Sequence, residues 1–425
     1  MLALGGIGMA LASFNLTWLS FALPELRELW SLDPVQLSFS PIAAALGGII
    51  GSAAAGHLAD RSGRRGVFQI SIVVSACAAL LSAIAPNYGF FVLAQVGLGA
   101  GVNGMTPAAT ALVTEMAPAP VRGRMTALLQ SSWVFGTVLA SAAAFVLIPL
   151  VGWRWGMATG GLALLYVWVI RRYMPESVRH LVSRGRLAEA SALRERLERR
   201  WDVSIPLPIV EATPAVPFGA RARLGELWSP VYRHRTGMLW ALWFVQVFFY
   251  RGVWTWLPTL LVLAGHSAAA ARLALLVISL AQLPATVASA FLIDRVGRKR
   301  LLVGGLAVSS GAAFAFGLVA TDPILILVFG ALMGALTLST NAASLAYTPE
   351  LYPTRVRATG VGMASSFGRI AAVISPAAIS ALLVVAGGSL VPVFAMFAAA
   401  LAAGAVVVGV GGEETAGRSL EEISR

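Results

Sequence analysis

Apolar residues run in blocks of membrane length along nearly the whole chain, and polar residues gather between the blocks. A helix of about 20 apolar residues crosses a bilayer. Such segments occupy residues 2–23, 37–56, 67–85, 88–114, 125–151 and 155–173, and after a polar interval 238–264, 269–293, 301–320, 323–347, 358–385 and 390–410. Backbone polar groups in lipid must be satisfied within each segment, so the pattern predicts an all-α membrane protein of twelve transmembrane helices in two six-helix bundles. Residues 1–173 form the first bundle, 174–235 a linker, 236–411 the second bundle and 412–425 a tail. Within the linker, Leu187, Leu193 and Leu197 alternate with arginines and glutamates over residues 186–201, which predicts an amphipathic helix on the membrane face. Pro206, Pro208, Pro214 and Pro217 then predict an irregular connection.

The polar positions repeat. Gly56-His57-Leu58-Ala59-Asp60-Arg61-Ser62-Gly63-Arg64-Arg65 separates the second and third segments, and Asp294-Arg295-Val296-Gly297-Arg298-Lys299 separates the eighth and ninth. Asp294 follows Asp60 by 234 residues, more than half the chain. Glu115 with Arg122 matches Glu350 with Arg357, Leu23-Pro24 matches Leu257-Pro258, and Ser131-Ser132 matches Ser365-Ser366. One unit has been used twice in the same orientation, the parallel repeat of a two-bundle transporter. In the first loop, Gly56 is expected to admit a neighbouring helix closely and Gly63 to allow a tight turn, with Asp60 accepting hydrogen bonds from a helix N-terminus or guanidinium.

Charge fixes the orientation. Of the 425 residues 58% are hydrophobic and 12% charged, which excludes an ordinary soluble domain. The net charge of +12 does not indicate nucleic-acid binding, because 26 of the 31 Lys and Arg fall in segments on one side of the predicted membrane. Arg27, Arg154 and Arg272 fall on the other side. This distribution places both termini in the cytoplasm of a multi-pass protein of the cell (inner) membrane. The first segment lacks a basic leader and is expected to be a retained helix. Cys77 is the lone cysteine and is expected to be a small buried apolar side chain; no disulfide or cysteine-based metal site is expected. Gly99, Gly101 and Gly104 spell a dinucleotide fingerprint but lie inside a span, where small residues serve helix packing.

The two loops, GHLADRSGRR and DRVGRK, resemble the signature of the major facilitator superfamily. Pro175 to Arg186, Tyr347 to Gly360 and Glu414 to Glu422 resemble its sugar-porter-like and metabolite:proton-symporter branch, which includes sugar, nicotinate and aromatic-acid carriers. The likeness covers nearly the whole chain. It implies secondary transport by alternating access about a midplane cavity, without catalysis or cofactor, by a monomer whose partners are a small-molecule substrate and membrane lipids. It also implies that Asp60, Arg61, Arg64, Glu115, Arg122, Asp294, Arg295, Arg298, Glu350 and Arg357 form charge networks between the bundles. Residue by residue, the alternative for Glu115 and Glu350 is a solvated helix end.

The family pattern fails at three positions. Relatives resembling proton symporters carry an acid in helix 1 and an arginine and a glutamate in helix 4, where this chain has Asn15, Gln95 and Met105. No carboxylate or imidazole falls in the middle of a predicted span, so uniport or anion exchange is expected. Two arginines do: Arg251 in the seventh segment and Arg369 in the eleventh. An arginine there costs roughly 2.5–3.5 kcal/mol on insertion scales, so it should face a wet cavity or a partner. Gln246, Tyr250 and Trp254 share a helical stripe beside Arg251. Guanidinium groups among indole and phenol surfaces suit a small carboxylate, including an aromatic one. A sugar or other neutral polyol is the alternative, with Asn15, Gln95, Gln246, Gln282 and Asn341 supplying hydrogen bonds.

Overall fold

The structure is a computed structural model describing residues 2–117, 122–201 and 225–416. It is helical throughout, with no strand among the described residues. In the first half of the chain, α1 is Leu2–Leu29, α2 Pro34–Ala59, α3 Ser62–Ala83, α4 Tyr88–Met116 and α5 Arg122–Val151. Then come α6 (Trp153–Thr159), α7 (Ala163–Tyr173), α8 (Val178–Ser183) and α9 (Leu187–Trp201). The second half holds α10 (Arg233–Leu263), α11 (Ala268–Val296), α12 (Arg298–Leu318), α13 (Pro323–Glu350), α14 (Thr354–Val385) and α15 (Val391–Gly411).

Ten of these helices are long and apolar enough to cross a membrane. The other two predicted spans are present in altered form. The seventh is α10, a continuous helix of 31 residues whose apolar run is broken by Gln246, Tyr250 and Arg251. The sixth is not continuous: a 3₁₀ turn at Gly160–Leu162 separates α6 from α7. Neighbouring helices press close at this turn. A Cβ on Gly160 would collide with Asn15 Oδ1, and one on Gly161 would lie 2.5 Å from Leu80 Cδ2.

Helix ends carry the expected signals. Asn87 caps α4 by accepting from Phe90 N at 2.9 Å, and Asp322 caps α13 by accepting from Ile324 N and Leu325 N at 2.9 and 3.0 Å. Gly63 has φ 79° and breaks α2 from α3, and Gly297 repeats the turn between α11 and α12 with φ 94°. The amphipathic helix of the linker is α9, with Ala190 buried against Leu181 of α8. The proline-rich stretch after it lies outside the described residues.

The chain divides into two compact units. The first holds residues 1–19 and 43–216, the second residues 20–42 and 217–425. In the first unit small residues bring backbones together. Side chains on Gly47, Gly51 and Gly99 would collide with the carbonyls of Val96, Ala100 and Ala44, so α2 and α4 touch main chain to main chain. Gly104, in turn, packs against Ser71 of α3. The glycine fingerprint is therefore a packing surface. Gly56 does not serve that purpose, because a Cβ there would meet open space. Cys77 is exposed, not buried; it shares the outward stripe of α3 with Val73, Val74 and Leu81, the surface offered to lipid.

In the second unit α10 packs on α14 and α15, α11 on α13, and α12 on α13 and α15. Phe248 and Phe249 of α10 meet the Phe397 ring of α15 at 5.4 and 5.7 Å. A Cβ on Gly252 would collide with that ring, so α10 lies close to α15 along this face. Glu25, which packs with this unit, accepts from Arg272 Nη1 at 3.3 Å.

Candidate functional site

Polar side chains inside the second unit fall into two groups. Gln246 is 4% exposed and committed to packing: its Nε2 donates to Thr340 O at 3.2 Å and to Ser344 Oγ at 2.8 Å, pinning α10 to α13. It stays on the stripe that the sequence assigns to it, but its amide is used up in that packing. Tyr250 and Trp254 keep that stripe, with ring centroids 6.5 Å apart, and both are partly accessible. The Trp254 indole N–H is buried and makes no hydrogen bond.

Arg251 stands beside them, partly accessible, and makes no hydrogen bond or ion pair among the described residues. Arg369 of α14 comes near enough for the two guanidinium groups to repel each other. Gln282 of α11 and Trp254 meet at Gly334 of α13, where a Cβ would lie 3.1 Å from Gln282 Nε2 and 3.3 Å from Trp254 Cη2. Asn341 lies seven residues beyond Gly334, two turns along the same side of α13. Among the described residues, Arg251 thus has no ion pair and the neighbouring Trp254 indole N–H has no hydrogen bond. A desolvated guanidinium is costly without a counter-charge.

The two amide residues of the first half are used differently. Gln95 is fully buried and donates to Ser82 Oγ at 3.0 Å. Asn15 is 3% exposed and is wedged against Gly160. Both sit in the first unit among helix contacts.

The charged loops are built as two matching clamps. Arg64 Nε lies 3.7 Å from Glu115 Oε1 in the first unit, and Arg298 Nε lies 3.5 Å from Glu350 Oε1 in the second. Each of these two pairs lies within one unit. Arg357 donates to Tyr352 O at 3.1 Å within its own loop, and Arg295 is exposed. The side chains of Asp60, Arg61, Arg122 and Asp294 lie outside the described residues.

Each clamp has a second acid that sequence reasoning missed. Glu176 Oε1 accepts from Arg65 N at 3.1 Å, while its carboxylate fills the space left by Gly63. Glu414 Oε1 accepts from Arg298 N at 2.9 Å, and its carboxylate fills the space left by Gly297. The next residue completes each clamp: Ser177 Oγ donates to Glu115, and Thr415 Oγ1 donates to Glu350 Oε2 at 2.5 Å. The available signal was the repeat itself, because Glu414 follows Glu176 by 238 residues, close to the offset of the loops.

Burial pushes the Glu414 carboxyl up, but the backbone N–H groups of Ala416, Arg300, Lys299 and Arg298 outweigh it and hold the carboxyl below its ordinary value of 4.5. A carboxyl lowered by folding stabilises the folded state at neutral pH, and that contribution is lost as pH falls through its folded value. Glu414→Gln should therefore lower the Tm most near pH 7, with the gap to the unaltered protein closing as pH falls below 4.5. Thermal melts over this range check it; a gap constant with pH would contradict the assignment.

Comparison with known proteins agrees with this architecture. The sugar (and other) transporter family matches residues 7–425. The chain is 35% identical over 421 residues to the niacin transporter NiaP of Acinetobacter baylyi, covering 98% of this chain and 94% of that one. It is 30% identical to the organic cation/carnitine transporter 7 of Arabidopsis thaliana, covering 88% and 83%. The fold is similar to the inward-open xylose transporter XylE of Escherichia coli, with a TM-score of 0.80 and 20% identity over 99% and 98% of the two chains. The repeated loops, the helical units and these matches together show that the chain belongs to the sugar (and other) transporter family of the major facilitator superfamily, a multi-pass membrane carrier of small organic solutes.

Proposed function

We propose that the chain carries a small aromatic carboxylate, nicotinate or a close analogue, across the cell (inner) membrane by alternating access. The observation that carries the reading is Arg251, a membrane-embedded guanidinium without a hydrogen bond or ion pair among the described residues, flanked by Tyr250 and Trp254. The carboxylate supplies the missing charge in bidentate geometry and the ring packs on the aromatic pair. Arg369 adds attraction for an anion and repels a cation. Niacin is a pyridine carboxylate, and the NiaP relative named for it matches along almost its whole length.

In this reading the protein is a monomer with both termini and the loops at Gly63 and Gly297 in the cytoplasm. Residues 1–173 and 236–411 are the two moving bundles, joined by 174–235 and followed by the tail 412–425. The described acids of the spanning helices, Glu25, Glu28, Glu115 and Glu350, fall in the terminal two turns of their helices. Transport is then uniport or exchange of one anion for another, without a fixed midplane carboxylate to carry a proton. Ligand-induced thermal stabilisation of the purified protein tests the substrate class. Nicotinate and benzoate should raise the Tm and xylose should not; stabilisation by xylose alone would establish the neutral-polyol alternative.

A further inference from the structure

The pair of Glu25 and Arg272 differs from the other ion pairs among the described residues. Arg64–Glu115 stays within residues 1–173, and Arg298–Glu350 and Arg235–Glu413 stay within residues 235–413. Glu25 belongs by sequence to the first predicted bundle and Arg272 to the second, and their charged atoms lie 3.3 Å apart in the end turns of α1 and α11. Both fall in the second compact unit, which takes residues 20–42 and leaves residues 1–19 to the first. That division of α1 coincides with a weak point of the helix. Pro24 has no N–H, so the carbonyl of Ser20 lacks its usual helical partner. Beyond it Ala22, Leu23 and Leu26 are fully buried, and Glu25 is the acid in their midst.

We propose that Glu25 and Arg272 form a latch on the outer side of the membrane, which holds the end of α1 on α11 while the carrier is closed to the outside and parts in every transport cycle. The apolar contacts of Ala22, Leu23 and Leu26 hold the segment without fixing its seat, and the ion pair supplies the fixed point. Its make-up suits a contact that must break. Arg272 uses Nη1 alone, and its Nε is buried without a partner, so the strong bidentate form of the pair is not made. Arg272 is 12% and Glu25 30% exposed, which leaves water at hand to take up both charges when they separate. Partly exposed pairs of this kind are weak, so the latch biases the closed state by a few-fold and solute binding can override it. The missing bond at Ser20 lets the outer segment come away without unwinding the rest of α1.

Spin labels on the outer side test it in the purified full-length protein. Cys77→Ser removes the lone cysteine, and cysteines at the exposed Pro86 and Thr321, in the α3–α4 and α12–α13 connections, carry the labels. Pulsed dipolar spectroscopy then gives the ratio of long (open) to short (closed) separations. Glu25→Gln and Arg272→Gln should each raise that ratio about two- to fivefold, the effect of one weak ion pair. Exchanging the charges, Glu25→Arg with Arg272→Glu, should bring it back toward the unaltered value. An unchanged ratio in both single variants overturns the proposal. A shift that the charge exchange does not reverse also overturns it, because the effect then belongs to other contacts of the two side chains. Arg272→Lys keeps the charge in a side chain close to the original and should shift the ratio less than Arg272→Gln; equal shifts would remove the ion pair from the account. The measurement uses no ligand, so failure of the latch and failure of the carboxylate reading are distinguishable.

Discussion

Replacing Arg251 by glutamine should lower the affinity for nicotinate by about 10- to 150-fold, the 1.5–3 kcal/mol of a hydrogen bond to a charged group. The size of the effect follows from what surrounds the guanidinium. It is desolvated, it makes no ion pair among the described residues, and Arg369 adds repulsion instead of relief. The anion is therefore the partner that converts an unfavourable buried charge into a paired one, and glutamine cannot take over that charge. Stability should move the other way. Removing an uncompensated guanidinium from a span should leave the Tm of the ligand-free protein unchanged or raise it. Loss of binding with a retained or raised Tm is the signature; a lowered Tm with intact affinity would make Arg251 a structural residue. Arg251→Lys should recover little, because the ammonium keeps the charge and loses the planar fork.

Gly99→Leu should be the most damaging single change to folding. A side chain at this position would run into the Ala44 carbonyl, a backbone group that has no rotamer to escape into. Overpacking a rigid interface costs about 1–3 kcal/mol or more, and here α2 and α4 must move apart as whole helices. Gly56→Leu is the matched control, because a Cβ on Gly56 meets open space. Detergent-solubilised yield and Tm should collapse for the first variant and hold for the second. Equal losses would contradict the packing argument.

Much of the architecture was legible because lipid imposes it. Backbone groups without water force helices of fixed length, and the cationic loops at Gly63 and Gly297 announce both the repeat and the turns. Direction of packing was not. Gln246 lies in the right stripe with Tyr250 and Trp254, but its amide is used by Thr340 and Ser344 of α13, a helix about 95 residues away in sequence. The crowding of Gly160 by Asn15 and of Gly161 by Leu80 comes from other helices. Arg64 and Glu115 were readable as members of one charged set, but not the 3.7 Å distance between them. Gly334 carried no signal at all. Its meaning is that Gln282 and Trp254 pack directly on its bare backbone, and that contact is a property of the folded chain.

The central claim, that the chain moves an aromatic carboxylate through a site built on Arg251, is tested most directly by transport itself. Proteoliposomes holding the purified protein and loaded with unlabelled nicotinate should take up labelled nicotinate against labelled xylose as the control. The account predicts nicotinate exchange, no xylose uptake and loss of exchange in Arg251→Gln at ligand concentrations that saturate the unaltered protein. Xylose uptake without nicotinate exchange, or nicotinate exchange undiminished in Arg251→Gln, would contradict it.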